Sequence, residues 1–170
     1  DIGKIGIPDR ILLNPDRLTK EEFEIIKTHT TIGASLLSNS RAELIQVGQD
    51  IALSHHEKWN GKGYPKGLEK ENISIYGRIV GLMDVFDALT SSRPYKKPYP
   101  VEIACDIIKK ERESSFDPDL VDIFLERVDD LLRIKGDVNS GQSLSELNFQ
   151  WSARDKSDGV DQFINVDKYL

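Results

Sequence analysis

Along the first 135 residues apolar positions return at intervals of three and four, and nowhere do they alternate with polar ones for long enough to suggest a strand. The pattern predicts an all-α domain of about five helices. The first covers residues 18–38: Thr19 and Glu22 form a capping box, and Ile25, His29, Ile32 and Leu36 follow on one face. Ser38-Asn39-Ser40 breaks it, and a second helix over 41–58 carries Leu44, Gly48, Ile51, Ala52 and His55 in a stripe. Periodicity then lapses from Trp59 to Ser74, where Asn60-Gly61-Lys62-Gly63-Tyr64-Pro65-Lys66-Gly67 reads as a loop.

A third helix over 76–91 aligns Val80, Asp84, Asp87, Ala88 and Ser91, and the prolines of Arg93-Pro94-Tyr95-Lys96-Lys97-Pro98 then force another loop. The fourth begins at Pro100 or Val101 and turns Val101, Ala104, Ile107 and Ile108 inward. The fifth has Asp117 as N-cap, Pro118 in the first helical position, and Val121, Phe124, Leu125, Val128, Leu131 and Leu132 on one face. Beyond Lys135 apolar residues thin out among Ser and Gly. The chain therefore divides into a domain over 1–135 and a polar tail or linker over 136–170, in which residues 147–151 alternate as a short edge strand or docking segment would.

Composition narrows the function classes. A net charge of -6 with 31% charged residues argues against a general nucleic-acid binder, though a local basic cluster still admits one small anion. One cysteine, Cys105, precludes an intrachain disulfide and suits a reducing compartment. No apolar run nears the roughly 18 residues of a membrane span, and no signal-peptide pattern opens the chain, so a cytoplasmic protein is expected. Asp1-Ile2-Gly3-Lys4 has neither an initiator methionine nor a capping preamble, as in a chain cut from something longer.

The chemistry concentrates in three histidines, His29, His55 and His56, all on predicted helices, with Asp84 on a third inward face. Adjacent histidines on a helix point about 100° apart, so such a pair can address two metals, or one metal and its neighbour's bridge. Imidazole mixed with carboxylate suits iron, manganese, nickel or zinc better than calcium or magnesium.

Those residues also carry a resemblance. His55-His56-Glu57-Lys58-Trp59-Asn60-Gly61-Lys62-Gly63-Tyr64-Pro65 resembles the signature of the HD-GYP family, paired histidines followed by a Gly-Tyr-Pro loop. Asp1-Ile2-Gly3-Lys4-Ile5-Gly6-Ile7-Pro8 is similar to the segment that starts at the aspartate of that family's His-Asp dyad. Met83-Asp84-Val85-Phe86-Asp87-Ala88-Leu89-Thr90, Arg93-Pro94-Tyr95-Lys96 and Ser115-Phe116-Asp117-Pro118 continue the match in order over about residues 1–125.

The resemblance implies a metal-dependent phosphodiesterase of the HD superfamily that cleaves cyclic di-GMP to the linear dinucleotide or GMP, by attack of a metal-bridging hydroxide. Asp1 would bridge metals, and His29, His55, His56 and Asp84 would complete a centre of two or three divalent ions, iron or manganese first, nickel or zinc next. Asp87 would orient a histidine. Lys4 would stabilise charge on the phosphate, and either Lys4 or a metal-bound water would protonate the leaving oxygen. Arg93 and Lys96 would contact phosphate, while Gly61, Gly63, Tyr64 and Pro65 would meet the ligand, the glycines by close backbone approach and Tyr64 by stacking or packing. An upstream sensory or receiver domain, and a partner protein on the Gly-Tyr-Pro loop, also fit the family. The dyad histidine that should precede Asp1 is absent, so the chain alone is expected to bind metal poorly. A degenerate regulatory module that binds nucleotide or a partner protein without catalysis is the competing expectation.

Overall fold

A computed structural model of the chain describes residues 1–92 and 97–139. Among them are seven α-helices and no strand: α1 (Asp9–Leu12), α2 (Lys20–Lys27), α3 (His29–Leu36), α4 (Glu43–Ser54), α5 (Ile75–Thr90), α6 (Val101–Lys110) and α7 (Pro118–Asn139). A 3-10 turn over Ile2–Gly6 precedes α1. The all-α expectation holds. Residues 147–151 lie outside the described residues.

The hydrophobic core sits where α5, α6 and α7 meet. Leu82, Val85, Phe86 and Leu89 of α5 pack on Ala104, Ile107 and Ile108 of α6 and on Phe116, Val121 and Phe124. The Phe86 and Phe124 rings meet edge to face at 5.0 Å. Helix α7 runs past the expected boundary at 135 to Asn139. Asp117 caps it as the sequence suggests, accepting from the Asp119 N–H at 2.9 Å. It also has a second task. Its other oxygen receives Arg78 Nη1 of α5 in a buried ion pair, while Arg78 Nε donates to the Ile73 carbonyl at 3.1 Å and the guanidinium lies over the Trp59 ring.

Two expectations fail. The helix over 18–38 is broken at Thr28, because side chains bond the carbonyls of that turn. Thr28 Oγ1 donates to Ile25, His29 Nδ1–H to Ile26, Thr30 Oγ1 to Lys27 and Thr31 Oγ1 to Thr28. Such back-bonding competes with the helical ladder and bends it. The buried face of α3 is then His29, Thr30, Gly33 and Ala34, with Leu36 exposed. Likewise α4 ends at Ser54, so His55 and His56 stand just beyond its last turn, and Leu44 of the expected stripe is 80% exposed.

Small residues set the spacing of the N-terminal half. A Cβ on Gly3 would lie 1.9 Å from the His29 carbonyl oxygen, and one on Gly81 would lie 2.6 Å from that of His55. The opening turn thus rests on α3, and α5 on the end of α4, backbone against backbone.

Replacing Asp117 with Ala leaves Arg78 as a buried unpaired cation and is expected to cost about 3–5 kcal/mol. It should lower the urea midpoint without changing the slope of the transition. Glu24→Gln breaks only the exposed pair with Lys27 and should cost no more than about 1 kcal/mol.

Candidate metal centre

Three segments deliver four donors to one point. Asp1 opens the chain ahead of the 3-10 turn, His29 is the first residue of α3, and His55 and His56 follow α4. One ligand atom from each lies within 4.8 Å of every other, with the three histidines buried and Asp1 exposed at the rim. Asp1 Oδ1 is 3.5 Å from His29 Nε2 and 3.8 Å from His55 Nε2. The other oxygen of Asp1 receives Lys4 Nζ at 2.7 Å.

The hydrogen bonds fix the tautomers. His29 Nδ1 lies 2.7 Å from the Ile26 carbonyl and His55 Nδ1 2.8 Å from that of Ile51. A carbonyl only accepts, so both Nδ1 atoms carry the proton and a neutral ring leaves Nε2 with a free lone pair. Those two Nε2 atoms face each other at 3.5 Å, with Asp1 Oδ1 beside them. Three acceptors turned on one another repel unless a cation lies among them. The buried Nδ1 of His56 has no hydrogen-bond partner, an orphan of the same kind.

Electrostatics keep the rings available. Burial pulls His29 down to about 4, against the opposing bond to Ile26. Burial, helped by the neighbouring His55, His29 and Lys4, pulls His56 down to about 2. His55 is lowered too, again mainly by burial, while its bond to Ile51 and nearby Asp84 oppose the shift. All three are uncharged near neutrality, the state a metal requires. Donors of this type and spacing fit a divalent transition metal.

Other expected site residues take different places. Asp84, half-buried on α5, lies near enough to act on His55 and Tyr64 but outside the four-donor group. Asp87 receives Ser91 Oγ–H at 2.9 Å and pairs with Lys135 Nζ at 3.0 Å. Arg93 and Lys96 lie outside the described residues. In the Gly-Tyr-Pro loop, Gly61 has φ +76°, which favours glycine. Gly63 is pressed against its own chain: a Cβ there would lie 2.3 Å from the Lys58 nitrogen. The half-buried Tyr64 stacks on the His56 ring at 4.8 Å, with the Phe23 ring edge-on at 6.2 Å and Lys27 Nζ 5.5 Å from its centre. Pro65 follows through a cis peptide bond and is exposed. The tyrosine therefore packs.

Sequence reasoning missed Glu57, which is 8% exposed and accepts from the backbone N–H groups of Lys66 and Leu68 at 2.7 and 2.9 Å. It also missed Gly3. The one signal available for Glu57 was a carboxylate directly after paired histidines and three positions before a glycine-rich loop.

This fold and this cluster define an α-helical domain equipped for metal-dependent chemistry. The HD domain family matches residues 1–120, and the chain belongs to that family, whose members are metal-dependent phosphohydrolases. The chain is 54% identical over 125 residues to a cyclic di-GMP phosphodiesterase of Thermotoga maritima, covering 74% of this chain and 34% of that protein. It is 45% identical to the cyclic di-GMP phosphodiesterase response regulator RpfG of Xanthomonas campestris, covering 84% and 38%. It is 40% identical to the 3'3'-cGAMP-specific phosphodiesterase 2 of Vibrio cholerae, covering 81% and 26%. The chain thus spans little more than a third of the length of the first two relatives. No helix among the described residues is long and apolar enough to cross a membrane.

Unfolded imidazoles protonate near 6.5, whereas folded His29 resists to about 4 and His56 to about 2. Below about 6.5 the unfolded chain therefore binds more protons than the folded one, so stability of the metal-free protein falls as pH falls. Its melting temperature should drop between pH 7 and pH 5, and His56→Gln should flatten that slope. Gly3→Ala should push the opening turn off α3, carrying Asp1 from the histidines. Calorimetric titration with Mn²⁺ should then show affinity weakened by about 10-fold or more.

Proposed function

We propose that this chain forms the catalytic part of a phosphodiesterase that hydrolyses cyclic di-GMP to the linear dinucleotide or GMP. The observation that carries the reading is the convergence of Asp1, His29, His55 and His56 within 4.8 Å, in a chain of the HD domain family. These four residues would hold two or three divalent metals, iron or manganese first, with Asp84 adding negative charge nearby. When bound, such ions act as Lewis acids and bring water to nucleophilic strength near neutral pH.

The protein's own groups account for the rest. The neutral imidazoles present lone pairs instead of competing positive charges. Lys4, held against Asp1 at 2.7 Å, sits at the rim where a phosphate would arrive, suited to stabilise charge on a non-bridging oxygen. Arg93 and Lys96 would grip the second phosphate, Arg93 through paired N–H groups. The 60–67 loop would border the ligand, with Tyr64 as wall more than platform. A cytoplasmic setting, an upstream sensory or receiver domain and a partner protein on this loop belong to the same reading. That one relative is named a response regulator supports the second of these.

The test pairs elemental analysis with turnover of cyclic di-GMP and 3'3'-cGAMP, using this chain and a version extended upstream. The extended protein loaded with Mn²⁺ or Fe²⁺ should hydrolyse cyclic di-GMP. Lys4→Met should retain metal yet lower kcat by about 100-fold or more, and His55→Ala should lose both metal and activity. An extended protein that binds no transition metal and turns over neither nucleotide would end the reading. Nucleotide binding without turnover would move the assignment to the regulatory module.

A further inference from the structure

We propose that Glu57 is a positioning residue for the metal centre, acting through the Gly-Tyr-Pro loop on His56. This rests on the metal-binding reading above and on a difference among the histidines. His29 and His55 each have the ring fixed by a carbonyl on Nδ1, from Ile26 and Ile51. His56 has no such bond, since its Nδ1 is buried without a partner. Packing alone must set its plane.

Three rings supply that packing: His55 at 4.0 Å, His29 at 5.0 Å and Tyr64 at 4.8 Å, centre to centre. The first two belong to the metal cluster. Tyr64 is the ring from outside it, and it lies close to parallel with His56, the planes 27° apart.

Tyr64 can do this only while the loop folds back. Its backbone N–H donates to the His56 carbonyl at 3.1 Å, and Gly63 is wedged on the backbone of Glu57 and Lys58. The returning arm is held by Glu57, whose two carboxylate oxygens separately take the N–H groups of Lys66 and Leu68. Ionic acceptors make stronger bonds to backbone amides than neutral ones do. The residue next to His56 thus closes the loop that brings a ring back onto His56.

Glu57→Gln tests the clamp sharply, because an amide offers one oxygen and one NH₂, and the second backbone N–H would meet a donor. Two readouts are taken on the full-length protein: the ring-proton NMR shifts of His56 without metal, and Co²⁺ affinity by titration of its visible absorption. We expect Glu57→Gln to lose the ring-current shift that Tyr64 imposes on His56 and to bind Co²⁺ about 10–100-fold more weakly. Tyr64→Leu should do the same, while Tyr64→Phe restores both. Glu57→Gln with the wild-type His56 shift and Co²⁺ affinity would overturn the proposal. Should Glu57→Gln fail to fold, equal behaviour of Tyr64→Leu and Tyr64→Phe would overturn it instead. Wild-type protein that binds no Co²⁺ would count against the metal reading, and the metal-free NMR arm would still decide whether Glu57 sets the ring.

Discussion

Lone pairs that face one another across 3.5 Å are unfavourable, and the architecture of this domain is arranged to hold them there. His29 and His55 cannot turn away, because each ring is fastened by Nδ1 to a carbonyl of its own segment. Nor can they escape by protonation near neutral pH, because burial makes the charged form costly. The segments in turn cannot separate without losing the close approaches at Gly3 and Gly81. A cation among these donors would relieve that repulsion. That preorganisation favours metal binding, since little has to be reoriented when an ion enters.

Stability and chemistry are drawn from different parts of the chain. The apolar core lies among α5, α6 and α7, whereas all four donors come from the first 56 residues. Helix α5 joins the two: Gly81 faces His55, and Leu82 and Phe86, turned about 100° or more away from it, enter the core. A helix with small residues on one face and large ones on another can bring a ligand-bearing backbone close while still burying enough surface to fold.

Much of this was legible in the sequence, in proportion to how local its cause is. The capping box at Thr19, the N-cap at Asp117 and the inward face of α6 depend on residues a few positions apart, and they appear as read. Of the candidate ligands, His29, His55, His56 and Asp1 converge, while Asp84 lies outside their group. What was lost had causes that the periodic pattern does not carry. Thr28 is unremarkable in a periodic pattern until the side chains of residues 28–31 turn back on the preceding carbonyls. Leu44 reads as a core residue, yet no described segment buries it. Glu57 was not singled out because its partners lie across a loop whose return the sequence does not spell out.

The loop itself connects the two parts. Beyond Glu57, the Trp59 and Asn60 N–H groups donate to the Ser115 and Ser114 carbonyls, just ahead of the cap of α7. Trp59 also lies under the Arg78 guanidinium that pairs with Asp117. The segment that leaves the histidines is therefore anchored to the rigid core before it turns back toward them. A loop fixed at that end transmits the rigidity of α5 and α7 to Tyr64, and through Tyr64 to the one imidazole that no hydrogen bond orients. Position in the metal centre is in this sense inherited from the hydrophobic core, by way of backbone bonds instead of direct contact.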